Sequence, residues 1–196
     1  LIALQNEIAD LQFLDPACGC GNFLIQAYKH LRGLEFEIIT RAEEIELAEI
    51  NAALDRHAQG EKVNGVRAMR QRLQEIGARN SMQFAEDAFR KSKMSMRQFH
   101  GIEINEWPAK VASTAMLLVD HLCNQAFGQS VVRLPIEETP EIVNANALRI
   151  DWDDVISPED CDYIIGNPPF LGYSRLDDEQ KTDRTKVFGK KGGQLD

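Results

Sequence analysis

The sequence predicts an α/β fold built on a parallel sheet, and three observations carry that expectation. Short apolar runs alternate with longer stretches of helical spacing along the 196 residues, the order that parallel strands joined by crossover helices impose. Two of the apolar runs end in segments rich in glycine or proline, Asp15-Pro16-Ala17-Cys18-Gly19-Cys20-Gly21 and Gly166-Asn167-Pro168-Pro169. The chain is also long enough to bury one sizeable core. About four strands are legible, with a helical insertion between the first and the second.

Each element has its own warrant. Gln12 to Asp15 reads as the first strand, and Asn22 to Leu31 as the helix after it, ending near Gly33. Glu35 to His57 carries Ile38, Ile39, Ala42, Ile45, Leu47, Ala48, Ile50 and Leu54 at helical spacing until Gln59-Gly60 breaks it. Val66 to Ile76 is a further helix, ended by Gly77. Residues 34–97 therefore read as a helical hairpin inserted between the first two strands. Phe99 to Ile104 is the second strand, ending at the acidic Glu103. Asn105 to Gln125 is the clearest helix, with Asn105 as its cap, Pro108 in its first turn and Gly128 past its end. Val111, Ala115, Leu118, Val119 and Leu122 form one apolar face, read as core. Ile142 to Ala145 and Asp162 to Ile165 are the third and fourth strands, and Asp151-Trp152-Asp153-Asp154 between them reads as a solvated connection.

The glycines at 19 and 21 let a strand-to-helix turn close sharply and approach a ligand. The dinucleotide pattern is absent, because Leu24 stands where its last glycine belongs, and no Gly-Lys-Ser/Thr of a phosphate loop follows. A doubly wound fold places its ribose-binding acid about 20 residues beyond the glycine loop; Glu103 stands far beyond that, which is why an insertion is inferred. At the other strand end, Asn167-Pro168-Pro169-Phe170 makes a rigid rim rich in oxygens. Proline has no N–H, so Pro168 and Pro169 present carbonyls only. Such a rim suits an exocyclic amine, held by its two hydrogens while its ring stacks on Phe170. Taken singly, each motif has a plainer reading as a turn, a surface carboxylate or a core residue; their order at strand ends favours the chemical one.

Phe13-Leu14-Asp15-Pro16-Ala17-Cys18-Gly19-Cys20-Gly21-Asn22-Phe23 resembles the cofactor loop of the class I adenine-N6 DNA methyltransferases. One departure is that Cys20 stands where that family usually has serine. The resemblance implies a Rossmann-like S-adenosylmethionine-dependent methyltransferase fold, present in part. It assigns Asp15, Pro16, Ala17, Gly19, Gly21, Asn22 and Phe23 to the S-adenosylmethionine loop. Glu103 would take the ribose hydroxyls, and Ile104 would pack on the adenine. Asn146, where aspartate is usual, would meet the adenine amine, with the Ala147 amide on the ring. Asn167, Pro168, Pro169 and Phe170 would be the catalytic segment acting on a flipped adenine of double-stranded DNA. Gly101 to Asn124, Gly166 to Gly172 and Gly192 to Asp196 further resemble the type IIL restriction–modification enzymes, in which nuclease, methyltransferase and target-recognition parts are fused. A glutamine-N5 protein methyltransferase and a non-catalytic methyltransferase-fold scaffold are the alternatives. The first usually ends its rim with tyrosine, against Phe170 here.

Composition bounds the rest. The net charge of -9, from 22 basic and 31 acidic residues, argues against a chain that grips DNA mainly through its own backbone contacts. The DNA grip is therefore expected in a target-recognition domain outside these residues, and the chain reads as a piece of a longer protein. Arg175 to Lys191 is basic-rich, and phosphate contact and a solvated helix face both stay open there. Four cysteines without zinc spacing, and histidines without ligand spacing, predict a reduced, cytoplasmic protein without a metal. No apolar run reaches the roughly 18 residues of a membrane span.

Overall fold

Phe13–Asp15 (β1), Phe99–Glu103 (β2), Glu141–Asn144 (β3) and Tyr163–Ile164 (β4) pair as one sheet in the order β3-β2-β1-β4. Every pairing is parallel. The computed structural model describes residues 1–78, 83, 91–126, 139–169 and 173–189. Gly128, Phe170, Gly172, Lys190, Lys191 and the 192–196 ending lie outside them. The helices are Ile2–Asp10 (α1), Asn22–Ala58 (α2), Val66–Ala78 (α3), Glu106–Ala126 (α4) and Asp178–Phe188 (α5). The chain divides into two compact units, which are taken in turn.

The sheet unit holds Leu11–Tyr28, Ser95–Val119 and Pro135–Asp196. Its central strands β1 and β2 are buried along their whole length, while β3 is partly open and both residues of β4 are exposed. This is why the first two read as continuous apolar runs rather than as alternating ones. Register is locked by an aromatic row: Phe13 pairs with Phe99 on one side and Tyr163 on the other. Their rings stack at centroid distances of 5.1 and 5.3 Å, and Tyr28 of α2 meets Phe99 edge-on at 5.4 Å. Such pairs add about 0.5–1.5 kcal/mol beyond their burial. On the opposite face Leu14, Ile102 and Val155 form a second cluster, packed by Val143, Ile150 and Trp152.

Helix α4 corrects the sequence reading of its core face. Ala109, Ala112 and Met116 are buried, whereas Leu118 and Leu122 are 56% and 50% exposed. Size decides the rotation: a Cβ on Gly21 would come within 3.1 Å of the Ala112 Cβ, so only small side chains let α4 lie against the glycine loop. Burying Leu118 there would overpack the contact.

The helical unit holds Leu1–Asp10, Lys29–Met94 and Asp120–Leu134. α1 had no sequence signal strong enough to be expected. α2 runs unbroken through Gly33 for 37 residues, against the expected end there. A glycine inside a helix costs about 1 kcal/mol, and the buried Arg32, Glu35, Ile38 and Ile39 around it offset that cost. The break at Gln59-Gly60 is present: α2 ends at Ala58 and Gly60 has φ 93°. α3 likewise continues through Gly77 to Ala78. It is tied to α2 by a two-pronged ion pair, Arg72 Nε to Glu46 Oε1 at 2.8 Å and Nη2 to Oε2 at 2.9 Å.

The buried Glu35 carboxylate is the hub of this unit. It accepts from Gln5 Nε2 (3.1 Å), Arg32 Nη1 (2.9 Å), Ser92 Oγ (2.7 Å), Lys93 N (2.6 Å) and Met94 N (3.3 Å). Arg32 also reaches Asn124 Oδ1 at 2.7 Å. A buried charge is tolerated only with such a full set of donors.

Candidate active site

All four strands end on the carboxyl edge of the sheet, the edge at which open α/β folds bind ligands. β1 ends at Asp15 and hands the chain to a turn in which Gly19 and Gly21 have φ of 55° and 83°. Those values favour glycine. The turn is fastened by Cys18 N to Ile102 O at 3.0 Å and Gly21 N to Cys18 O at 2.7 Å. Cys18 lies over Gly101 of β2, where a Cβ would stand 2.9 Å from its Sγ. Burial, with Asp15 and Glu103 nearby, pushes the Cys18 thiol up to about 12, so it is an inert packing group. Cys20 is exposed.

β2 delivers Glu103 to the same place. Its Oε2 accepts from Gly19 N at 3.0 Å, and its Oε1 accepts from Asn105 N at 2.8 Å and Asn105 Nδ2 at 3.0 Å. The carboxylate is therefore oriented in advance and retains acceptor capacity. Asn105 precedes α4 as expected of a cap, but its NH2 is directed back to Glu103. From β3, Asn144 Nδ2 donates to the carbonyls of Glu103 and Ile104 at 2.8 and 3.0 Å, which fixes the backbone carrying both. Ile104 is 61% exposed beside this anchored carboxylate, and Phe23 is also exposed at the start of α2.

Asp15 is 1% exposed. Its Oδ1 accepts from Ala17 N at 3.0 Å, and its buried Oδ2 has no partner among the described residues. Burial, with Glu103 adding to it, holds its carboxyl above the ordinary range despite the Ala17 bond. An orphaned carboxylate oxygen next to a second carboxylate suits a cationic ligand. β4 brings Gly166 against this residue: a Cβ there would stand 2.5 Å from Asp15 Oδ1. The strand end is fastened by Ile165 N to Leu14 O at 2.9 Å. Asn167, Pro168 and Pro169 follow, exposed; Phe170 lies outside the described residues.

Asn146 and Ala147 lie just past β3. Asn146 Oδ1 accepts from Leu148 N at 2.9 Å and its Nδ2 donates to Asp183 Oδ2 at 3.1 Å. The Ala147 carbonyl takes Trp152 Nε1 at 2.8 Å. Asn144 and Asp183 are participants that the sequence reading missed. Asn144 stands two residues before Asn146 and opposite Glu103 in the strand register. Asp183 lies in a charged stretch with no local mark. The basic-rich stretch itself forms α5, where Lys181 pairs with Asp178 at 3.4 Å.

Among the described residues no group of three or more His, Cys, Asp or Glu could hold a metal ion, and no helix is long and apolar enough to cross a membrane.

The family described as "MmeI, DNA-methyltransferase domain" matches residues 1–196. A protein of Bacillus subtilis (strain 168) named DNA methyltransferase A is 30% identical over 200 residues, covering 98% of this chain and 18% of its own length. The type IIL restriction–modification enzyme MmeI, solved in complex with DNA, superposes with a TM-score of 0.73 at 35% identity, over 100% of this chain and 22% of its own. The chain thus spans about a fifth of the length of these relatives.

Proposed function

The chain belongs to the MmeI DNA-methyltransferase-domain family, and from that premise we propose that it transfers a methyl group from S-adenosylmethionine to the N6 amine of an adenine in double-stranded DNA. The observation that carries this reading is the junction of Asp15 with Gly166. It brings the residue that precedes Asn167-Pro168-Pro169 against Asp15, whose carboxyl is near enough to Glu103 to feel its charge, and this supports the reading.

The residues fit the cofactor. Glu103 has acceptor capacity left for two vicinal hydroxyls, and the orphaned Asp15 oxygen is matched to an ammonium. Ile104 offers an exposed apolar surface on which a purine would pack, and Asn146 and Ala147 would hold its polar edge. Pro16, Ala17, Gly19, Gly21, Asn22 and Phe23 complete the loop around it. When bound, S-adenosylmethionine supplies a methyl carbon on a positively charged sulfur, open to in-line attack by nitrogen.

The acceptor side follows from the chemistry of the amine. Its lone pair is delocalised into the purine ring, so it is a poor nucleophile. The Asn167 side-chain oxygen and the Pro168 carbonyl accept its two hydrogens, which favours tetrahedral nitrogen and stabilises the positive charge that develops there. Pro169 stiffens the rim, and Phe170 stacks on the base. Such a base is unreachable inside a duplex, so it is flipped out. The acidic charge of the chain supports a reading in which most of the DNA grip comes from other parts of the full-length protein. The acceptor is tested by Asn167→Ala in that protein: methylation of an adenine-bearing duplex is expected to fall by about a hundredfold or more, the scale of one transition-state contact. Undiminished methyl transfer would sink the assignment.

A further inference from the structure

Asp183 is an acid inside the basic-rich stretch Arg175 to Lys191, and α5 carries it into a buried position against the turn at residues 146–149. Arg149 Nε donates to both of its oxygens at 2.9 Å, and Arg149 Nη2 stands 2.9 Å from Oδ2 as an ion pair. Asn146 Nδ2 donates to Oδ2 at 3.1 Å. The Arg149 hydrogen bonds hold the Asp183 carboxyl below its ordinary range, so it remains an acceptor only.

An acceptor can face only the NH2 end of the Asn146 amide. The oxygen end is thereby turned the other way, where it takes Leu148 N at 2.9 Å and keeps a second lone pair. The two ends of an asparagine amide are nearly the same size, so shape does not select between them. A flip would set the NH2 against the Leu148 N–H and the oxygen against the Asp183 carboxylate, two repulsive contacts in place of two bonds.

We propose that Asp183 is a positioning residue that holds the Asn146 amide oxygen outward as the acceptor for the exocyclic amine of the cofactor's adenine. Selectivity for adenine over a 6-oxo purine is then set by a side chain that does not touch the base. Because Asp183 lies on the helix that follows the Asn167-Pro168-Pro169 segment in the chain, the same contact links base reading in the cofactor site to the stretch after the catalytic rim. The inference rests on the methyltransferase reading above and specifies how its cofactor is recognised.

The test compares dissociation constants for S-adenosylhomocysteine and S-inosylhomocysteine in the full-length protein. The first has an amine where the second has a carbonyl, so the two ask opposite things of the Asn146 amide. The wild type is expected to prefer the adenosyl compound. In Asp183→Asn either end of the Asn146 amide finds a partner, and the preference shrinks by about five- to tenfold, the worth of one hydrogen bond. The loss appears in KM for S-adenosylmethionine more than in kcat. The exchange Asn146→Asp with Asp183→Asn sets a carboxylate, an acceptor at both ends, opposite an amide and restores the preference.

Equal weakening of both ligands by Asp183→Asn, with the ratio unchanged, means a purely structural role and overturns the proposal. So does a wild type that methylates DNA yet binds both compounds alike. If Asp183→Asn does not fold, the double exchange decides: a retained preference supports the proposal, and a lost one refutes it. A wild type that binds neither compound, with Glu103→Ala indistinguishable from it, is instead the failure of the methyltransferase reading, and the inference falls with it.

Discussion

Replacing Gly166 by alanine probes the join between Asp15, at the start of the glycine turn, and the Asn167-Pro168-Pro169 segment. An ideal Cβ at this position stands 2.5 Å from Asp15 Oδ1 and 3.1 Å from Asp15 Cγ. Real Cβ contacts essentially never fall under 3.0 Å, so the groups must part by at least about 0.5 Å, an overpacking in the sense of a core insertion. Neither side yields easily. Asp15 is buried on a central strand with Oδ1 held by Ala17 N, and Gly166 follows a residue whose N–H is bonded to Leu14 O. Overpacking of this kind costs about 1–3 kcal/mol. At about 2–4 °C per kcal/mol in chains of this size, Tm falls by about 2–12 °C. The displaced neighbour is Asn167, and a misplacement of about 1 Å at a reacting group can cost a hundredfold; half of that shift predicts a loss in single-turnover methyl transfer of about tenfold. Calorimetry of Gly166→Ala, repeated on an Asp15→Gly background, isolates the contact. With the carboxylate gone the Tm penalty shrinks, giving a coupling of about 1 kcal/mol or more. Equal penalties on both backgrounds refute the steric argument.

Three further outcomes follow from other contacts. Met116→Ala empties a fully buried position on α4 and is expected to cost about 2–5 kcal/mol, while Leu118→Gln on its exposed side stays within about 0.5 kcal/mol; urea midpoints that rank the two the other way reverse the helix rotation. Asp15→Asn removes a carboxyl group whose pKa burial holds above its ordinary value of 3.8. The folded state binds that proton more tightly than the unfolded one, so the wild type loses stability as pH rises through the raised pKa. The variant is accordingly more stable near neutrality, an advantage that fades as pH falls towards 3.8, and it binds S-adenosylmethionine more weakly; a Tm difference independent of pH contradicts this. Glu35→Ala strips the hub of the helical unit and leaves Arg32 buried without its carboxylate, for an expected loss of about 3–5 kcal/mol by denaturant titration; a loss below about 1 kcal/mol, the scale of an exposed pair, would mean that the hub is solvated.

The strand at Phe13–Asp15, the glycine turn and the start of the next helix were readable because steric rules act within a few residues. The second strand was legible for a related reason: a run buried on both faces announces itself by composition. The corrections have equally specific causes. Gly33 looked like a helix end because its local cost is real, but burial of Arg32, Glu35, Ile38 and Ile39 outweighs it. The α4 face looked like Leu118 and Leu122 because hydrophobicity was weighed, whereas the glycine loop selects for small side chains at Ala109 and Ala112. Asn105 stands where a cap was expected, its carbonyl accepting from Ala109 N at 3.2 Å, and its amide nitrogen also serves Glu103.

By itself the sequence determined the order of the four strands and of the helices between them, the glycine turn, the acidic strand end at Glu103 and the polar groups that Asn167-Pro168-Pro169 can offer. Local backbone sterics and the hydrogen-bonding inventory of each residue type suffice for all of these. Only the tertiary structure decided which strands neighbour one another, that Asp15 keeps an unpartnered buried oxygen, that Gly166 closes on that residue, and that Asp183 turns the Asn146 amide. Each of these depends on groups far apart in the chain meeting at a few ångströms. Burial and hydrogen-bond geometry are properties of that meeting, and no periodicity along the chain records them.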